Sequence, residues 1–353
     1  MKRLFSMVLV LALALSLAAC GGAAPAASAP AESAPASSAP AESVPASEPA
    51  EVPAGDYTAR IGGLKGPTTL GMLKVMQDAK AGTASGSWEM QMVGSPSEII
   101  PMISKGELDM AAVPSNMASV LYNQTEGQVQ VAAINTLGVL YVVTTGDDIQ
   151  SVADLAGKTI YLTGKGASPE YMVRHILMEN GLDPDKDVTL EFKSEATEAL
   201  AAVQAAEGPV TAILPQPFVT AAQMQVEGLT VALDLTEEWD KVTPESAMLT
   251  GVLVVRTEFA EQNPDAVKAF LADYKASIEY VNANVEEAAQ WAAEVGVVPK
   301  APIAAKAIPA CNIVYQDGAE MKQNMSGYLQ VLFDQEPKAV GGAMPADDFY
   351  YGA

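Results

Sequence analysis

Five short stretches of this chain share one chemistry: Lys65-Gly66-Pro67-Thr68-Thr69, Gly94-Ser95-Pro96, Pro114-Ser115-Asn116, Gly164 to Ser168 with Pro169, and Pro215-Gln216-Pro217. Each pairs a helix-initiating proline with a hydroxyl, an amide or glycine-exposed backbone N–H groups, and each follows a short run that reads as a strand. The stretch Lys158 to Tyr171 is the clearest: a β-branched and aromatic strand, a turn through Gly164 and Gly166, then Ser168-Pro169 as N-cap and first helical residue. The first N–H groups of that helix have no intrahelical acceptor and favour negative or strongly accepting groups placed above the strand end. Taken singly, any of these turns is the ordinary way a helix begins, and Lys65 and Lys165 read as solvated loop lysines. Together they point to a shared crevice for a small polar or anionic molecule. Its candidate contacts are Lys65, Gly66, Pro67, Thr68, Thr69, Ser95, Pro114, Ser115, Asn116, Lys165, Gly166, Ala167, Ser168, Pro215 and Gln216. Tyr141, Tyr171, Phe218 and Trp239 stand near the expected lobe edges as rings that could stack on a planar ligand, each more readily read as packing; Tyr141 and Tyr171 are added to the contacts, with Tyr171, just past the glycine turn, the first to test.

Catalytic and metal patterns are not found. Gly157-Lys158-Thr159 has the end of a phosphate loop, but Val152 stands where that loop needs its first glycine. Gly164-Lys165-Gly166-Ala167-Ser168-Pro169 misses the last glycine of the dinucleotide fingerprint. The one histidine, His175, lies beside the apolar stripe Met172, Val173, Ile176 and Leu177 and reads as a boundary residue. Cys311 reads as a small buried hydrophobe. No metal and no cofactor are called for, and the chain reads as a binder rather than an enzyme.

The elements that must position these turns begin after a processing segment. Lys2 and Arg3 precede an apolar run from Leu4 to Leu17, and Leu17-Ala18-Ala19-Cys20 follows. This is the pattern of a bacterial lipoprotein signal, residues 1–20, with Cys20 taking the lipid. Residues 21–55 are nearly all Ala, Pro, Ser and Glu and read as a disordered, partly extended spacer. The formal charge of −23 becomes −25 without Lys2 and Arg3, which argues against nucleic acid and against binding to anionic lipid. Membrane contact would be through the acyl chain alone, on the extracytoplasmic face.

From Tyr57 onward, strands and helices alternate, as in a parallel, doubly wound sheet. Two apolar runs, Val129 to Ile134 and Val139 to Thr145, mark a crossing into a second lobe, where strands at 158–163, 188–192, 210–214 and 229–235 repeat the theme. Gly251 to Arg256 reads as a strand returning to the first lobe. A long helix follows, with Val267, Phe270, Leu271, Tyr274, Ile278 and Val281 on one face. The expected division is 56–144 with 246–353 as lobe 1 and 145–245 as lobe 2. The carboxyl ends of parallel strands share one edge, so turns from both lobes can meet in one cleft.

The chain resembles the solute-binding proteins of ABC importers, of the nitrate, sulfonate and taurine type with its relatives for thiamine pyrimidine precursors. The resemblance is carried by the start at Cys20, Leu64 to Thr68, Lys105-Gly106-Glu107-Leu108-Asp109-Met110-Ala111, Ser151 to Ile160 and Asn263-Pro264-Asp265-Ala266-Val267. It covers roughly Tyr57 to Phe333. It implies an α/β, two-lobed type II periplasmic-binding-protein fold with a ligand cleft between the lobes. It also implies a monomer that delivers its ligand to a permease and ATPase, with the turns at Gly66 to Thr69, Ser95, Ser115 to Asn116, Gly166 to Ser168 and Gln216 lining the site. Two other readings stay open: a lipoprotein that senses its ligand without transport, and a relative of the pyrimidine-precursor synthases. The latter rely on histidine and cysteine chemistry.

Overall fold

Short β-branched runs and amphipathic helices alternate from Thr58 onward, and in the computed structural model they build two sheets, each flanked by helices. The structure describes residues 58–146 and 148–353. The expected signal segment, Cys20 and the spacer lie outside the described residues.

The first sheet is laid down by β1 (Thr58–Leu64), α1 (Leu73–Ala81), β2 (Ser87–Val93), α2 (Pro96–Ser104), β3 (Met110–Pro114), α3 (Ser115–Gln124) and β4 (Val129–Leu137). The chain then builds β5 (Leu140–Thr145), β6 (Thr159–Thr163), α4 (Ser168–Glu179), β7 (Thr189–Lys193), α5 (Ala196–Ala205), β8 (Val210–Pro215), α6 (Phe218–Gln225), β9 (Thr230–Asp234) and α7 (Leu235–Val242). It returns through β10 (Leu249–Arg256), α8 (Thr257–Gln262), α9 (Pro264–Ala283), α10 (Val285–Glu294), α11 (Ala301–Ala307), β11 (Ile313–Gln316) and α12 (Gly318–Gln335).

Six strands pair in the order β11-β4-β10-β3-β1-β2, and five in the order β7-β6-β8-β5-β9. Neither sheet is all parallel as expected. β10 runs antiparallel to β3 and β4, and β5 runs antiparallel to β8 and β9. β5 follows β4 with no helix between them, so no crossover sets it parallel to the strands of the sheet it joins. The strand β5, placed in the first lobe by a boundary at 144/145, hydrogen-bonds within the five-stranded sheet, so the change of sheet falls at Gly138-Val139. The returning strand β10 lies in the six-stranded sheet, and the structure seats it between β3 and β4.

Helical periodicity predicts burial well on α9, where Val267, Phe270, Tyr274, Ile278 and Val281 are all buried and only Leu271 stays half-exposed. The core beneath α12 joins both halves of the molecule: Met321, Met325, Tyr328 and Leu332 share one apolar cluster with Ile176 of α4, Ile134 of β4 and Trp239 of α7. Buried charge is matched locally. Asp109, 3% exposed, takes the Arg60 guanidinium through Nε at 2.9 Å and Nη2 at 2.6 Å, and also accepts the Arg60 backbone N–H. Three N–H donors thus meet the buried carboxylate, while the Arg60 side chain itself stays partly exposed.

Candidate functional site

The turns that follow β1, β3, β6 and β8 meet around one cavity of about 650 Å³ between the two sheets. From the first half come Lys65, Gly66, Pro67, Thr68, Pro114 and Asn116; from the second come Gly166, Ala167, Ser168, Pro215 and Gln216. These are eleven of the candidate residues, and opposite walls hold residues more than a hundred positions apart. Proline fixes each helix entry, so that the backbone leaves the strand end and turns sharply across the mouth.

Six candidates sit elsewhere. Thr69 is fully buried, with Oγ1 turned back toward Gly63 of β1. Ser95 hydrogen-bonds with Ser97 and donates to Glu98 Oε1 at 2.9 Å, and its neighbour Gly94 lines the cavity instead. Ser115, the first residue of α3, is buried. Lys165 lies over the Phe192 ring, 5.9 Å from its centroid. Tyr141 is held in the core by its hydroxyl, which donates to the Ala310 carbonyl at 2.8 Å. Tyr171 faces a separate outer groove with Arg174, Met178, Gln335 and Glu336. Both tyrosines were predicted to stack on ligand from their place near strand and helix ends. Neither ring lines the cavity: Tyr141 is buried and Tyr171 is half-exposed on the outer groove.

The turn into α4 also differs from expectation. The helix begins at Ser168 with Ala167 as N-cap, and Ser168 makes no capping bond. Gly166, at φ 71°, takes the left-handed conformation that tightens the turn. Its N–H donates to Glu170 Oε2 at 2.7 Å, and Glu170 also receives Arg174 Nε at 2.9 Å. The chain's own carboxylate therefore occupies part of the electropositive helix start that was expected to face ligand.

The remaining walls come from parts of the sequence that carried no motif. Leu249 and Thr250 of β10, Thr163 of β6 and Met172 of α4 form the interior, while Val297, Pro299 and Ile303 from the α10 to α11 region close one side. Phe218 at the start of α6 supplies the one aromatic ring. Lys65 is the one charged side chain among the lining residues. The cavity is thus mostly apolar, with hydroxyl and amide groups set in it. The most enclosed of these are Thr68, 5% exposed and without a partner for Oγ1, and Gln216, also 5% exposed. Gln216 Oε1 accepts from the Thr220 hydroxyl at 2.9 Å and from the Thr220 N–H at 3.3 Å, which fixes the amide orientation and leaves Nε2 as the donor.

His175 is remote from this chemistry. It hydrogen-bonds Thr243 Oγ1 at 2.7 Å and packs against Trp239, and burial holds its pKa below the ordinary value. Cys311 is buried, and burial pushes its thiol up to about 12. Among the described residues no group of His, Cys, Asp and Glu is arranged to hold a metal ion, and no helix is long and apolar enough to cross a membrane.

Two sheets with a cleft lined from both define the periplasmic-binding-protein fold, and solved structures share it. An ABC transporter structure from Parabacteroides distasonis superposes with a TM-score of 0.71 at 23% identity, covering 84% of this chain and 99% of its own. The periplasmic aliphatic sulphonate binding protein SsuA of Escherichia coli gives 0.64 at 17% identity, covering 81% and 90%. A Brucella abortus relative, itself a binding protein by name alone, is 23% identical over 239 residues, 67% of this chain and 70% of its own. Residues 88–288 match the model of the NMT1/THI5-like family. The chain belongs to that family.

Proposed function

We propose that this protein is the extracytoplasmic substrate-binding component of an ABC importer, capturing a small molecule between two lobes that close on it and passing it to a permease and its ATPase. In this reading the lobes follow the two sheets, the first from Thr58 to Gly138 and again from 246 onward, the second from 139 to 245, a division supported by the pairing of β5 within the five-stranded sheet. The observation that carries the reading is the cleft itself: turns from both halves line one cavity, so a ligand that touches both favours the closed arrangement over the open one. Lipid attachment at Cys20, the spacer that follows it and a monomeric state complete the proposal. Binding without turnover is supported by His175 and Cys311 lying away from the cavity walls.

The size and lining of the cavity narrow the ligand. Sites of about 300–1,000 Å³ hold molecules of many heavy atoms, so the cavity is far larger than a nitrate ion needs. Within the expected classes this favours a solute with an apolar body and a polar or singly anionic head near Lys65, of which an alkanesulfonate is the simplest example. The E. coli neighbour is an aliphatic sulphonate binder by title, which agrees with that choice. The experiment is a thermal-shift panel of sulfonates, nitrate, phosphonates, pyrimidines and amino acids, followed by small-angle scattering with the best binder. A raised melting point together with a smaller radius of gyration is expected. An unchanged radius at saturating ligand would remove the closure mechanism.

A further inference from the structure

β3 and β8 hold matching places in the two sheets. Each has β1 or β6 as a parallel neighbour on one side and an antiparallel strand, β10 or β5, on the other. Each ends in a proline, Pro114 or Pro215, and each turn then carries an amide, Asn116 or Gln216, into the cavity wall. The third residue past the proline is in both cases large and apolar: Met117 at the start of α3, Phe218 at the start of α6. Both side chains line the cavity, one from each half.

These two differ from the other apolar residues of the wall. Leu64, Leu140, Met172 and Leu249 are buried members of the core that runs beneath α12. Val297 and Ile303 pack against the cluster of α9 and α10, and Ala221 against the cluster around β8 and α6. Met117 and Phe218 are half-buried, and among the described residues neither joins nor packs against any of the three clusters. A single half-exposed apolar side chain on a surface needs no explanation. Two at equivalent positions, facing one space from opposite halves, leave apolar area that only an occupant of that space covers. The occupant's matching part is hydrocarbon, because a second charge there would lose its water, and the one charged side chain of the wall is Lys65.

We propose that Met117 and Phe218 form an apolar subsite that takes the hydrocarbon tail of the solute and reads its length, with Val297 and Ile303 as the wall supplied by the turn between α10 and α11. The unbranched thioether of Met117 adapts to tails of different shape, while the Phe218 ring gives a fixed face. The proposal rests on the cleft being the solute site. It adds the residues that select among solutes sharing one head group.

Calorimetry on the full chain with sodium butanesulfonate, hexanesulfonate and octanesulfonate tests it. Wild-type affinity should rise about fourfold per added methylene. In Phe218→Ala and Met117→Ala that gain should fall to about twofold per methylene, and Phe218→Leu should recover most of it. A structural role alone would weaken all three ligands by one factor and leave the gain per methylene intact, which would overturn the proposal, as would wild-type affinity that ignores tail length. A crystal of the wild type with octanesulfonate decides the matter should a variant fail to fold. Tail carbons within about 4.5 Å of the Phe218 ring and the Met117 side chain are expected, and a tail along another wall or out in solvent would overturn it. If wild type binds no alkanesulfonate, the head-group class fails separately. Crystals soaked in 1-octanol then read the subsite by itself: a chain seated against both side chains upholds it, and none in the cavity overturns it.

Discussion

The Tyr141 hydroxyl donates to the Ala310 carbonyl at 2.8 Å and so ties β5 of the five-stranded sheet to the segment that leads into β11 of the six-stranded one. The same segment grips the crossing between the sheets, where Asn312 Nδ2 donates to the Gly138 carbonyl at 2.7 Å and the Leu137 N–H donates to the Asn312 carbonyl at 3.0 Å. Replacing Tyr141 by Phe removes the hydroxyl and keeps the packed ring. A net loss of about 0.5–1.5 kcal/mol in urea unfolding is expected, as for one partly buried hydrogen bond. An unchanged midpoint would show that the bond contributes nothing across the joint.

Gly251 allows the close approach of Thr68 and Asn135 at the cavity floor. Gly251→Ala places a methyl against Thr68 Cγ2 and 2.6 Å from Asn135 Oδ1, both on short, buried side chains. Overpacking of this sort costs about 1–3 kcal/mol, and the shift it forces falls on the cavity wall. Chemical denaturation should show the loss, and any ligand found by the thermal-shift panel should bind more weakly. A variant as stable as wild type would mean that the floor yields freely.

His175 carries a pH dependence of definite sign. Its folded pKa lies below the ordinary 6.5, chiefly because burial disfavours the charged ring, while Glu179 acts in the opposite direction. The unfolded chain therefore binds the proton first as pH falls. The contribution of this residue is fully present above about 6.5 and is lost as pH drops toward the folded value. The difference in unfolding free energy between wild type and His175→Gln should change with that sign between pH 7 and 5. A flat difference would contradict the burial of the ring.

The thiol of Cys311 is 0% exposed, and its pKa is pushed up to about 12. Because the thiolate is the reactive form, a Cys20→Ser chain should resist a thiol reagent such as dithionitrobenzoate at pH 8 until denaturant is added. Rapid labelling of the native chain would place the sulfur nearer the surface.

Much of the cleft was legible in the sequence because proline, glycine and hydroxyl residues at a strand end act locally. Pro67, Pro114, Pro169, Pro215 and Pro217 all reach the cavity for that reason. What could not be read depends on partners far along the chain. Pro299 and Ile303 belong to a helix-to-helix turn, with no strand end before it to aim it at the cleft, and the packing of α11 beside α6 brings them to the cavity. β11 spans just four residues and was missed, since so short an edge strand has no measurable alternation. Tyr141 and Tyr171 failed as ligand contacts because an aromatic ring near an element's end is recruited by whichever apolar surface lies closest.

The carboxylate of Glu170, seated on the Gly166 N–H, gives the second half a built-in counterpart for its own helix start. A charged visitor finds that attraction already spent, whereas an oily one still gains by shedding its hydration shell against Phe218, Met172 and Leu249. Selection among solutes then leans on fit and dehydration, with the charge of Lys65 left to meet the head group.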